Sequence, residues 1–525
     1  MQRGAIMQHR ILLGCAFLYL TVSNVIWIAW DTRPAFWDMA VHQTGALRIL
    51  YAIGERGLMG ITALPYATQP YPPLFHSVVA VFFTVFGVSP DAAQLANIPA
   101  TAILLGSTYW IGKRLMSATA GAIAATLVGF YPLMIWLSRE ALIDYWLTAM
   151  VALAFAVLLE TDRFSNRRMA VLFGIVCGLG MLTKWTFVVF LLFPTLWFAW
   201  RRIEHAVLAG AVAAGVASLW YIPQLDILGE FLALNTAGGV SEGDPFRLSW
   251  QAIIFYVRAL EGYQLFLPLF VLFVAGLIRT LKGFDAKWVP VWLWLGGAWF
   301  CLLFFVNKDP RYSVPLLPAV ALVTASLFVS TPARTGIGTK IRKGAMFCLI
   351  PFLLFQHYMI SFGVGALPQS VVLVEGVDGP LRWDWYLYSQ RYFDLWGPPL
   401  REDWKIEYVL DRVTDQPVRL GDAERPIRLG MVPDIPRFDA AAFQFYILAR
   451  NDPVEMWRLT SADPATLGSA DYILLSETAQ GYAGLVPQGL DAVGQFVLDN
   501  PQDFESLESF ALPNGEVIRL VRVGS

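Results

Sequence analysis

LFHSVVAVFFTVFGV, residues 74–88, is the stretch on which the topology of this chain turns. It is apolar enough to enter a membrane, yet shorter than the about 20 residues a helix needs to cross about 30 Å of hydrocarbon. Length alone does not decide, because FVVFLLFPTLWFAW at 187–200 is no longer. Charge does. Lysine and arginine concentrate in cytoplasmic loops. Arg3 and Arg10 place the N-terminus there, and four basic groups follow: Lys113 and Arg114; Arg163, Arg167 and Arg168; Arg201 and Arg202; Arg279, Lys282 and Lys287. Arg334, Lys340, Arg342 and Lys343 complete the series. These fall at every second loop only if 74–88 does not cross. It is therefore read as a re-entrant or interfacial helix on the outer face.

Working outward, eleven spans are expected at about 11–30, 92–112, 119–137, 143–160, 168–184, 187–200, 205–222, 263–281, 287–306, 313–331 and 344–365. An odd number of spans leaves the C-terminal region outside, opposite the N-terminus. Composition agrees: the chain is 57% hydrophobic and 15% charged, where a soluble domain carries about a quarter charged residues. A net charge of −2 argues against a nucleic-acid partner. Cys15, Cys177, Cys301 and Cys348 all fall within expected spans, so they frame no disulfide scaffold. Leu12-Leu13-Gly14-Cys15 weakly resembles a lipoprotein cleavage box, but apolar sequence continues to Trp30, as in an uncleaved first span.

On this topology the outer face collects the polar residues. The loop 31–91 holds a helix-compatible stretch at 36–52, with Trp37, Leu47 and Tyr51 as possible interfacial anchors and Asp38 and His42 on one face. SREALIDYW brings Arg139, Glu140 and Asp144 to a membrane boundary; LTKW brings Lys184; NKDPRYSVPLLPA brings Lys308, Asp309, Arg311 and Tyr312. The segment 223–262 adds Glu230, Glu242, Asp244, Arg247, Arg258 and Glu261. Charges near hydrocarbon line cavities or pair with one another. Each taken alone has a structural explanation: snorkelling for Lys308 and Arg311, helix pairing for Lys184, helix capping for Asp38. Their convergence on one leaflet points to a site for an anionic headgroup, with a carboxylate to activate a hydroxyl.

FWDMAVHQTGALRIL, YPPLFHSVVAVFFTVFG, SREALIDYWLTAMVALAF, GLGMLTKWTF and NKDPRYSVPLLPAVAL follow one another at 36–50, 71–87, 138–155, 178–187 and 307–322. In order and spacing they resemble the bacterial relatives of protein O-mannosyltransferases and aminoarabinose transferases, over about residues 10–365. The resemblance implies a GT-C fold of about eleven transmembrane helices with interfacial helices. It also implies inverting transfer from a polyprenyl phosphate sugar to a protein, glycan or lipid acceptor. Asp38 would be the base, and Asp144 would orient it or the acceptor. Lys184, Lys308, Arg311 and Arg139 would meet the donor phosphate, and Trp37, His42, Tyr71 and Tyr312 would line the substrate pocket. Where the family carries a second acid after the first, this chain has Met39. A divalent metal would find Asp38 and His42, which as two ligands do not define a site. Similarity to bacterial members implies an inner membrane, with the C-terminal region periplasmic.

Past Phe362 the hydrophobic runs shorten, and residues 366–525 read as a soluble α/β domain after a membrane domain at 1–365. An amphipathic stretch spans 401–413. IRLGMV and DYILLSE read as buried strands, FDAAAFQFYILAR as a helix opened by Asp439, and FESLESFALPNGEVIRLVRV as a terminal hairpin. This region carries no phosphate-binding glycine loop, metal spacing or nucleophile elbow. It fits a cap or acceptor-docking module as well as a packing scaffold. Besides a transferase, the chain is compatible with a lipid-sugar transporter, or with a non-catalytic partner that holds lipid or glycan for another enzyme. Met39 favours the partner. The absence of a half-to-half repeat argues against the transporter.

Overall fold

A computed structural model describes residues 2–329, 337–363, 371–376, 379–383, 397–415, 425–481 and 489–524. Arg334, and position 366 where the second domain is expected to start, lie outside the described residues. The chain is a polytopic α-helical membrane protein with a small C-terminal sheet domain. Helical structure covers part of every one of the eleven expected spans. Among the described residues, five helical runs are long and apolar enough to cross a membrane: His9–Trp30, Ile143–Glu160, Ile203–Ser241, Trp250–Lys282 and Pro310–Phe328.

Burial sorts these helices into inner and outer ones. Ile143–Glu160 is apolar around its whole circumference and buried along nearly all of its length, as a central helix must be. Ile203–Tyr221 exposes Val207 and Leu219, as a lipid-facing helix does. The outer helix is held by small residues. Gly174 and Gly178 lie one turn apart on Arg167–Met181, facing Ile203–Tyr221. A Cβ at Gly174 would stand 2.4 Å from the Ala209 carbonyl oxygen, and one at Gly178 would stand 2.5 Å from Val216 Cβ. This is the close approach that small-xxx-small motifs allow between membrane helices. We expect Gly178→Leu to lower stability in detergent by about 1–3 kcal/mol, read as a loss of thermal midpoint. An unchanged midpoint would show that the two helices do not depend on this contact.

Two features of the helices matter for the site, the second a departure from the sequence reading. Residues 74–86 form a 13-residue helix, Leu74–Phe86, about 20 Å long. The segment 223–241, expected as loop, instead continues its span: Ile203–Ser241 runs for 39 residues, about 58 Å. Pro223 costs only a single 3-10 turn at Ile222–Gln224. The added length brings Phe231 and Asn235, with Glu242 just past its end, to a cavity that Asp38 also lines.

The helix Trp37–Arg56 packs against Leu74–Phe86 on one side and against Ala440–Arg450 of the C-terminal domain on the other. Leu47 is fully buried, and the Tyr51 hydroxyl donates to the Leu448 carbonyl at 2.9 Å. Neither is an interfacial anchor, because the docked domain covers the face they were expected to show to the membrane. The linker is tied down as well. Trp27 Nε1 donates to Gly397 O (3.1 Å), and the Leu400 amide to Asp31 Oδ1 (2.9 Å).

Strands β1 (Val371–Gly376) and β2 (Gly379–Trp383) form a hairpin. Strands β3 (Ile427–Met431), β4 (Val454–Arg458), β5 (Tyr472–Ser476), β6 (Phe504–Ala511) and β7 (Val517–Val523) form one sheet in the order β4-β3-β5-β7-β6. The strands β3, β4 and β5 are parallel; β7 runs antiparallel to both β5 and β6. The expected strands, the terminal hairpin and the helix opened by Asp439 are all present. The sequence reading left out β4 and the helix Leu490–Asp499. Ala440–Arg450 covers the face bearing Leu429, Met431 and Leu474, and Leu490–Asp499 covers the face bearing Ile473 and Leu475.

Candidate active site

Asp38 stands in the first turn of Trp37–Arg56. Its Oδ1 accepts a hydrogen bond from the Tyr71 hydroxyl at 3.2 Å, and its Oδ2 lies 3.3 Å from the Arg311 guanidinium. Arg311 also grips Asp309 through Nε (2.9 Å), which fixes the guanidinium plane. Beneath Asp38 a cavity of about 40 Å³ is lined by His42, Asp144, Lys184 and Tyr312; above it a cavity of about 1020 Å³ opens outward. Asp38, Tyr71, Arg311 and Tyr312 line both, so the carboxylate sits where the two meet.

The cations take different positions around this carboxylate. Lys184 Nζ is 2.7 Å from Asp144 Oδ1 and 4.9 Å from the Tyr312 ring centroid. The Lys308 side chain lines the outer cavity, with Nζ over the Tyr256 ring at 5.7 Å. Asp38, His42, Tyr71, Asp144, Lys184, Lys308, Arg311, Tyr312 and Trp37 are thus brought together. Arg139 is not. Its guanidinium bonds Asn24 and Ser361 and stacks over Trp27, locking the first helix to Ile337–Phe362. Met39 is buried at the wall of the outer cavity, so this turn of helix offers one acid, Asp38.

His42 belongs to a locked pair. His76 Nδ1–H donates to the Pro72 carbonyl (3.2 Å), which leaves His76 Nε2 to accept from His42 Nδ1–H at 3.0 Å. Burial, together with the neighbouring His76, Lys184 and Arg311, holds His42 well below the ordinary histidine range. It is a neutral imidazole at the cavity wall. Among the described residues no cluster of three or more His, Cys, Asp and Glu is placed to hold a metal ion. Tyr71 and Arg311 engage the Asp38 oxygens, and His76 engages His42 Nδ1; two such groups alone do not define a metal site.

Sequence reasoning missed two walls. One is Phe231 and Asn235 from the extended helix, in a segment that had read as loop. The other comes from the sheet domain. Trp37 adopts φ +44°, unusual for a side-chain-bearing residue. It is held there because its Nε1 donates to Asp434 (2.8 Å) and its amide donates to Asp439 (3.3 Å). Asp439 also caps Ala440–Arg450.

Asp439 supplies a pH prediction. Burial and the nearby Asp434 push its carboxyl up to about 7, against the opposing pull of three backbone amides. A carboxyl raised in the folded protein contributes stability that is present below its unfolded value near 3.9 and lost as pH rises through about 7. Stability should therefore fall from pH 5 to pH 8, and Asp439→Asn should flatten that slope in thermal scans. An unchanged slope in the variant would assign the pH dependence to other groups.

Fold and site together define a polytopic membrane protein of the GT-C fold, resembling the protein O-mannosyltransferases and ArnT. Within that class, residues 70–222 match the family described as dolichyl-phosphate-mannose-protein mannosyltransferase. The match takes in Tyr71, Asp144 and Lys184 but not Asp38, Lys308 or Arg311. Among solved structures, ArnT from Cupriavidus metallidurans in the apo state superposes with a TM-score of 0.60 at 12% identity, over 98% of both chains. The same protein bound to undecaprenyl phosphate gives 0.57 at 13%, over 96% of this chain and 97% of that one. An Archaeoglobus fulgidus oligosaccharyltransferase tethered to an acceptor peptide gives 0.54 at 11%, over 97% of this chain and 73% of that one. No curated protein matches the sequence.

Proposed function

We propose that the protein transfers a sugar from a polyprenyl phosphate-linked donor to an acceptor hydroxyl at the outer face of a bacterial inner membrane. In this reading residues 1–365 form the membrane domain, residues 366–525 the extracytoplasmic domain, and the N-terminus is cytoplasmic. The observation that carries it is the Asp38 carboxylate at the junction of a small cationic cavity and a large outer one.

An apolar groove of about 650 Å³ supplies the lipid path. Leu260, Phe273, Trp299 and Leu316 line it, and Tyr256 stands at its wall. Because Lys308 lies over that same tyrosine, a polyprenyl chain in the groove brings its phosphate to Lys308 and Arg311. The ArnT structure with undecaprenyl phosphate supports such a donor by likeness of fold.

The acceptor oxygen attacks the anomeric carbon, the new C–O bond forms with inversion, and the bond from that carbon to the phosphate oxygen breaks. Asp38 takes the hydroxyl proton, and the polyprenyl phosphate leaves with about two negative charges. Arg311, Lys308 and Lys184 meet the growing charge, where fixed cations act most strongly. Asp144 positions Lys184. The test is donor turnover by purified protein in nanodiscs, offered a panel of polyprenyl phosphate sugars. Consumption of one donor supports the reading. Failure to bind any polyprenyl phosphate removes it.

A further inference from the structure

The outer cavity, at about 1020 Å³, sits at the upper end of the about 300–1,000 Å³ range of ligand pockets. Its far wall is built by the C-terminal sheet. Met431 at the end of β3, Pro433 and Asp434 just after it, Asp439, and Arg458 at the end of β4 all line it.

Their place in the sheet is not arbitrary. The chain leaves β3 for the helix Ala440–Arg450 on one face. After the neighbouring β5 it reaches the helix Leu490–Asp499 on the other face. Adjacent parallel strands whose connections part to opposite faces leave a crevice at their carboxyl ends, the place where open α/β sheets bind ligands. Here Asp434 lies in that crevice, with its amide donating to the Gln480 carbonyl at 2.8 Å. The crevice opens into the same cavity as Asp38.

We propose that this strand-end crevice is the acceptor subsite and that its acceptor is an uncharged saccharide. The proposal rests on the transferase reading above and adds the class of its second substrate. Two features of the wall select that class. Asp434 and Arg458 form an ion pair at the cavity wall, a fixed acceptor beside a fixed donor, which matches two neighbouring hydroxyls of a sugar ring. Trp37 and Phe231 add aromatic surface for the apolar face of such a ring. An extended peptide is recognised by pairing along a strand edge; the cavity meets strand ends instead.

The experiment uses full-length protein in nanodiscs containing undecaprenyl phosphate. Saturation-transfer NMR is run with mannobiose, chitobiose and maltose, with a glucosamine disaccharide 1-phosphate, and with a threonine-rich octapeptide. Binding of at least one neutral disaccharide is expected. Arg458→Gln and Asp434→Asn should each weaken it about tenfold or more, the loss for a hydrogen bond to a charged group. Asn at 434 still accepts from Trp37 Nε1, so the first turn of the Asp38 helix keeps its anchor. Thermal midpoints of both variants show that the sheet is folded. Three results overturn the proposal: no disaccharide binds, only the phosphorylated sugar or the peptide binds, or disaccharide binding ignores both substitutions. Undecaprenyl phosphate binding, measured on the same samples, separates the two levels. If it is present without saccharide binding, the acceptor subsite falls alone. If it is absent from the wild type, the transferase reading falls and takes the subsite with it.

Discussion

Asp38→Asn should lower sugar transfer by about 10²–10⁴-fold, the range for removing a general base, with the protein folded and donor binding retained. The substitution is nearly isosteric, and Asn Oδ1 still accepts from Tyr71, whose hydroxyl now reaches Asp38 Oδ1 at 3.2 Å. Arg311 keeps Asp309 at 2.8 Å, so the phosphate-facing cation stays in place. What is lost is the proton acceptor. The effect should therefore fall on kcat, with the donor KM close to wild type. Single-turnover assays with a matched donor read this directly. An Asn variant that transfers at the wild-type rate would move the base elsewhere, and His42, neutral at the same cavity, would be the next candidate. Turnover by neither protein, with donor bound by both, would favour the lipid-holding partner to which Met39 points. That residue leaves Asp38 without a second acid on its turn.

The parts of this molecule that were legible in sequence are those set by local pattern. Apolar runs of helical length and the spacing of Arg114, Arg202 and Arg279 gave the spans. The apolar run at 74–88 was readable as a short helix, which is present as Leu74–Phe86. Asp439 was readable as a helix cap because capping is decided within three residues. Its second role, holding the Trp37 amide, joins positions about four hundred residues apart and leaves no periodic trace. The same holds for Asp434 and Arg458, whose relation to Asp38 exists only once the sheet is docked. Arg139 shows the opposite failure. It lies five positions before Asp144, but the non-helical turn at Ser138–Leu142 sends it toward Asn24 and away from Lys184. Phe231 and Asn235 were passed over because the span was ended at 222, whereas the helix continues to Ser241.

The pair Asp144–Lys184 separates structure from chemistry. Its 2.7 Å bond is nearly sealed from solvent, with side chains 3% and 10% exposed. Removing one partner strands a buried charge, so Asp144→Leu and Lys184→Met should each destabilise the protein by about 3–5 kcal/mol. The double variant removes both charges together, and replacing a buried pair with apolar side chains is often neutral. Its thermal midpoint should therefore return close to wild type, a coupling that a double-mutant cycle measures. Transfer should not return with it. Lys184 faces the cavity beneath Asp38, over the Tyr312 ring, and in the proposed reaction it would add positive charge for the departing phosphate. Loss of one such stabilising contact costs about 10²–10³ in kcat. A double variant restored in stability but deficient in turnover assigns the lysine to the donor. Recovery of both would leave the pair a brace between the helix Ile143–Glu160 and the turn after Arg167–Met181, and the phosphate would rest with Arg311 and Lys308 alone.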